Sequence, residues 1–310
     1  MTNSLINNIQ SMVEAGSLED QTVQKTKFVR QIAPEGVTTA RLVGYVELGY
    51  LPQRPWQGEA KPDAPMVTLT WELNGKNYMK NIAKAGEPEK LVPTMHRETI
   101  KLSTNERAKY FKLFNKMRRQ DVANPVTHMA QLLGQGCIIR VKHNASKKDP
   151  SIKYANIYTA VDGWMVTPPI ETSAVSGETT EVPVPTAVTP MQLLLQASPS
   201  IPQWNSIYID GTYTKKINGA DVELSKNFVQ YKLLGASSFS GSALESLLRD
   251  NNLLAGLLND KKVSDDAYND SKPRTETVSV PDVPSIIEVP KVSPEGLESS
   301  VDPLAALGLA

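Results

Sequence analysis

The sequence predicts a mostly β fold with α insertions, in which five short strands form a small Greek-key barrel. Three observations predict it. Apolar and polar residues alternate over 37–48, 66–73 and 137–143, the period of a half-buried strand. Between the strand segments before 84 and those after 136 the period changes to that of a helix. Past residue 164 the composition shifts to Pro, Thr, Val and Glu without any period, which ends the barrel.

Residues 1–26 read as an N-terminal helix and linker, with Leu5, Ile6, Ile9, Met12 and Val13 on one apolar stripe and Gly16 ending it. In 37–48, Ala40, Leu42, Val46 and Leu48 fall on one face, and Arg41, Tyr45 and Glu47 on the other. In 66–73, Val67, Leu69, Trp71 and Leu73 point inward. Asn74-Gly75 then supplies a two-residue hairpin turn into a third strand, 76–83.

Ser103 and Glu106 form a capping box for a helix over 104–119, whose Tyr110, Phe111, Phe114 and Met117 belong to the core. A second, shorter helix is capped by Asn124, carries Pro125 in its first turn and ends at Gly134 or Gly136. The fourth strand, 137–143, buries Cys137, Ile139 and Val141. A fifth runs over 153–161 after the loop 144–151.

Three strands, a helical insert and two strands is the element order of an OB-fold, whose groove lies between the loops joining strands 1 to 2 and 4 to 5. A ferredoxin-like sandwich needs a helix after its first strand, where this chain has Leu51-Pro-Gln-Arg-Pro-Trp56. The OB-like domain therefore covers 27–164, and 165–190 is an extended linker. A small α+β segment follows over 191–258: a short helix from Met191 through Leu195, a strand and turn over 204–211, a hairpin at Lys216-Ile-Asn-Gly219, and helices near 225–235 and 242–257. It is too small for its own core, so it docks on the barrel or on a second copy of the chain. Residues 259–310 read as a disordered acidic tail.

Charge is segregated although the chain sums to zero. Residues 76–154 hold 17 Lys plus Arg against 6 Asp plus Glu, net +11; 161–200 carry four acids and no base, and 275–310 six acids against Lys291 alone. A basic middle and an acidic tail fit a protein that handles a polyanion and carries a competitor for that surface. The single cysteine, Cys137, excludes an internal disulfide, and three scattered histidines give no metal site. No apolar run approaches the roughly 20 residues that cross a bilayer, and a soluble, cytoplasmic protein is expected. No phosphate-binding loop, GxSxG or HExxH is present, so neither enzyme chemistry nor a cofactor is expected.

The loop 49–58 interleaves Tyr50, Arg54 and Trp56 with Pro and Gly. Aromatic faces stack on unpaired bases while cations follow phosphates, so this mixture suits single-stranded nucleic acid. The other groove loop offers Lys147 and Lys148. Outward strand positions between them are Arg41, Tyr45, Tyr78, Lys80, Arg140, Lys142, Tyr154 and Tyr158. The cations of helix 104–119 read as a solvated, snorkelling face. Leu304, Leu307 and Leu309 follow scattered acids in the last residues and read as a partner-recruiting peptide.

Four segments resemble those of bacteriophage single-stranded DNA-binding proteins: Thr39-Ala-Arg-Leu-Val-Gly-Tyr-Val-Glu-Leu-Gly49, Pro55-Trp-Gln-Gly-Glu-Ala-Lys-Pro62, Val67-Thr-Leu-Thr-Trp-Glu-Leu73 and Trp204-Asn-Ser-Ile-Tyr-Ile-Asp-Gly211. The resemblance implies an OB-like core that coats unpaired DNA during phage replication or recombination. It also implies an acidic C-terminus that competes for the groove and recruits replication proteins. This tail departs from bacterial relatives, which carry a dense Asp run and end in Pro-Phe, whereas the chain ends Leu-Gly-Leu-Ala. The alternatives are a virion structural or assembly protein with a basic contact surface, and a single-strand annealing protein.

Overall fold

A computed structural model describes Met12 and residues 32–53, 55, 57–83, 88–118, 125–146, 149–173, 175–217 and 220–270. Apart from Met12, the expected N-terminal helix lies outside the described residues, as does the chain after Asp270. The protein is mostly β, built on an antiparallel sheet that curls into a half-barrel. Its axis is the 16-residue strand β1 (Gly36–Leu51), flanked by β2 (Ala64–Leu73) along its C-terminal half and by β5 (Gly136–Ala145) along its N-terminal half. Outside β2 lies β4 (Leu91–Lys101), then the short β3 (Met79–Asn81); outside β5 lies β6 (Lys153–Asn156).

Two expectations for this half change. Asn74-Gly75 does not open a hairpin; it leads into a tight 3₁₀ turn, Lys76–Tyr78, and the strand paired with β2 is β4. β4 fills what reads as a long connection, because Thr94, His96 and Glu98 interrupt the apolar signature of its inward face between Val92 and Ile100. The fifth strand stops at Asn156, where Ile157 turns into the core. A small hairpin follows, β7 (Tyr158–Thr159) with β8 (Gly163–Trp164).

The first of two register shifts against β2 sets the orientation of the middle of β1. Leu42 pairs with Trp71 and Gly44 with Thr70, so Val43 is an extra residue and side-chain parity reverses after it. Ala40, Leu42 and Tyr45 therefore face a first core, filled by Leu69, Trp71, Leu113 and Ile139. Val46 and Leu48 face a second core on the opposite side of the sheet.

The first core is closed by α1 (Lys109–Met117), which buries Tyr110, Leu113, Phe114 and Met117. Its start falls later than expected because Ser103 and Asn105 accept bonds from the next turn's own amides, at Asn105 and Arg107, instead of forming a capping box. Phe111 consequently sits half-buried on the flank. The second predicted helix is a single 3₁₀ turn, Met129–Leu132, with His128 and Gln131 as its reciprocal cap; Asn124 lies outside the described residues.

The expected linker 165–190 is a strap laid on the sheet. β9 (Val166–Thr167) pairs with β5, and a hairpin of β10 (Ile170–Thr172) and β11 (Thr179–Glu181) follows. The Arg41 guanidinium donates to the carbonyls of Gly134, Val184 and Pro185. The buried Glu72 carboxylate accepts the amides of Val188 at 3.0 Å and Thr189 at 2.7 Å. Gly136 permits this approach, since a Cβ there would meet Val184 at 2.7 Å. Side chains too far apart in sequence to show a period thus replace periodicity as the ordering force.

Past the strap, 191–195 is a strand, β12 (Gln192–Leu194), added parallel to Gly44–Val46. The expected strand from Trp204 is instead a helix, α2 (Ile201–Ser206), with Ser200 as its cap and Pro202 in its first turn. Trp204 and Ile207, three apart, both enter the second core. The hairpin is present as β13 (Thr212–Ile217) and β14 (Ala220–Ser225), followed by α3 (Phe228–Leu234) and α4 (Ala243–Asp250). α5 (Leu254–Asp270) carries helical structure past 259, where disorder is expected. This segment docks on the barrel through a shared core with Val46, Leu48 and Leu51.

Cys137 is buried in the first core, and burial pushes its thiol up to about 12. Only a thiolate attacks a disulfide reagent. The native protein is therefore expected to titrate no thiol with Ellman's reagent over minutes and one thiol after denaturation. Rapid native labelling would contradict this packing.

Candidate nucleic-acid interface

β5 turns Cys137, Ile139 and Val141 into the core, so Ile138, Arg140 and Lys142 point out. Register extends this surface to both neighbours: Arg140 stands opposite Val37, Lys142 opposite Asn156, and Asn144 opposite Tyr154. Residues directly opposite share a face. Arg140, Lys142 and Tyr154 are thereby brought together, beside Val37, which is 59% exposed.

α1 adds cations to the same surface. Burying one stripe leaves Lys109, Lys112 and Lys116 on its other side. The Lys109 ammonium lies 3.9 Å from the centre of the Tyr158 ring, which meets Trp164 edge-on with centres 5.0 Å apart. The Trp164 indole donates to the Lys109 carbonyl at 2.7 Å, and Lys116 donates to the Trp164 carbonyl, locking helix and hairpin together. Lys116 also joins two clefts. One, of about 270 Å³, is lined by Val37, Arg140, Trp164 and Thr167. The other, of about 590 Å³, is lined by Phe111, Lys112, Tyr158 and Val161.

Asp162 stands in both clefts. It accepts from the Thr159 hydroxyl at 2.7 Å and from Lys142 at 2.9 Å, and these bonds hold its carboxyl below the usual range. The face thus carries Asp162, paired with one of its five cations, and Glu106, which lines the larger cleft and lies 3.9 Å from Arg107.

Several expected contacts lie elsewhere. Tyr45 is fully buried because the Val43 bulge turns it inward; its hydroxyl donates to Glu47 at 3.0 Å and lies 3.3 Å from that of Tyr110. Burial pushes both phenols up, so they stay neutral and structural. Tyr78 is buried because its segment is a 3₁₀ turn and not a strand. Arg41 spends its donors on the strap. Lys80 is half-buried on the short edge strand β3, away from β5. Tyr50 is 48% exposed at the end of β1, with its backbone anchored to Ser237 and Ser238. Arg54, Trp56, Lys147, Lys148, Leu304, Leu307 and Leu309 lie outside the described residues.

A third cleft, of about 730 Å³, opens between the sheet and the C-terminal segment. Leu51, Met66 and Leu224 form part of its wall, Tyr213 and Phe228 stand at it, and Lys215, Lys232 and Lys261 surround it. None of these residues was expected at a site, although Tyr213 and Lys215, two apart in a hairpin strand, carry the same aromatic-plus-cation signal as β5 and β6. Among the described residues no helix is long and apolar enough to cross a membrane. The chain matches no protein-family model, no curated protein and no solved structure.

Proposed function

We propose that this protein binds single-stranded DNA without an enzymatic step and largely independently of sequence, in phage DNA replication or recombination in the host cytoplasm. The observation that carries the reading is the β5–α1 face. There Lys109, Lys112, Lys116, Arg140 and Lys142, from two elements distant in sequence, surround adjoining clefts with Phe111 and Tyr158, and Tyr154 lies on the strand beside β5. Cations in a groove follow a phosphate chain, and aromatic rings stack on bases that only an unpaired strand presents.

The strand order supports the same reading. β4, β2, β1, β5 and β6 are neighbours in that sequence, with α1 inserted between β4 and β5. An OB barrel opened between its third and fifth strands has this order, and OB sheets are a common platform for single strands. The resemblance of four segments to phage single-strand binders points the same way.

Fluorescence anisotropy with labelled oligo(dT) and a matched duplex tests the proposal. Preference for the single strand is expected, and for about five phosphate contacts log K falls against log salt with a slope of roughly −3.5. Equal affinity for the duplex, or affinity that ignores salt, would reject the function.

A further inference from the structure

We propose that the cleft between the sheet and the C-terminal segment is a second base-stacking site, with Tyr213 and Phe228 as its rings and Arg97 and Lys232 as its phosphate contacts. This inference rests on the single-strand reading above but uses none of the residues of the β5–α1 face.

Alternation in β13 places Tyr213 and Lys215 on one side of the hairpin. Tyr213 pairs directly with the buried Leu224, so the apolar anchor and the exposed ring share that side. Phe228 opens α3 and is 53% exposed, while Tyr213 is 47% exposed. The first turn of α3 is fixed from beneath, where the buried Asn227 side chain donates to Gln230 and Gln230 donates to the Trp204 carbonyl at 2.9 Å. Two large exposed rings, Tyr213 and Phe228, thus stand at one cleft.

Charge selects the occupant. The lining residues include three lysines and no carboxylate, and the guanidinium of Arg97, from the outer face of β4, lies 5.6 Å from the centre of the Phe228 ring. A cleft of about 730 Å³ with an apolar wall, exposed rings and a cationic rim fits flat, apolar bases on a polyanionic backbone. A duplex offers the phosphates but hides the faces of its bases. Arg97 and Arg140, one from each site, lie on the same face of one sheet. Thr70 faces Arg97 across the β2–β4 ladder, and Val37 faces Arg140 across the β1–β5 ladder, while Arg41 and Glu72 hold the strap on that face. The cleft is also lined by Leu51 and Pro52, at the end of β1.

The test uses the full chain with oligo(dT) bearing 5-iodouracil, read by anisotropy and by mapping photo-crosslinked peptides. Phe228→Ala and Tyr213→Ala are each expected to weaken single-strand binding by roughly tenfold, and Phe228→Trp to restore it. Crosslinks are expected within 212–232. Circular dichroism confirms that each variant is folded. Wild-type binding with unchanged alanine variants and no crosslink in that span overturns the second site and leaves the β5–α1 reading standing. Equal losses for single strand and duplex overturn the stacking role. No binding by the wild type overturns both.

Discussion

Replacing Lys112 and Arg140 together by glutamate is expected to lower affinity for oligo(dT) on the order of 100-fold at low salt, and to flatten the salt dependence. The two residues come from α1 and β5, and both are exposed. Each substitution converts an attraction for phosphate into a repulsion. If each contacts one phosphate, the slope of log K against log salt becomes shallower by about 1.4. The deficit shrinks as salt rises, because the Debye length near 0.1 M is only about 10 Å. Stability changes little, since exposed substitutions away from caps and cores seldom cost more than about 0.5 kcal/mol. An unchanged slope in a folded double variant would remove this face from the interface.

Trp204→Ala is expected to be the most damaging single change outside the first core. Trp204 is 2% exposed and packs with Val46, Leu48, Leu194 and Ile207, while its carbonyl accepts from Gln230. Truncating a buried tryptophan costs about 3–5 kcal/mol, and in a domain of this size that lowers the melting temperature on the order of 10 °C. The two cores occupy opposite sides of the sheet, so the loss falls first on the C-terminal segment. Hydrogen exchange is expected to show protection lost across α2, α3 and the β13–β14 hairpin before the sheet itself. Uniform loss over both cores would mean that the segment and the half-barrel unfold as one unit.

The strands of the first core were legible wherever one face is apolar: Val67, Leu69, Trp71 and Leu73 in β2, and Cys137, Ile139 and Val141 in β5. β4 was not, because it turns Thr94, His96 and Glu98 toward the concave side and carries Pro93. Tyr45 was misplaced by a single bulge, since one added residue reverses the side chains that follow, here until the second shift before Gly49, and leaves no mark in composition. The strap was read as a linker because its order comes from Arg41 and Glu72, more than 100 residues away in sequence. The site was half legible for the same reason. Arg140, Lys142 and Tyr154 sit on adjacent strands, whereas the rings of the cleft at the C-terminal segment join the sheet only through long-range docking.

The pairing of Gly44–Val46 with β12 also sets an order of events during synthesis. β1 finds β2 almost at once across a local hairpin, but its last partner is Gln192–Leu194. At about 5–20 residues per second, a ribosome delivers that partner roughly 8–30 seconds after β1 emerges. Through that interval Val46, Leu48 and the open edge beside them face solvent in the nascent chain, the surface most able to pair with a wrong strand. The half-barrel thus reaches its native pairing from the inside out, and its exposure to misassembly is greatest before residue 194 appears.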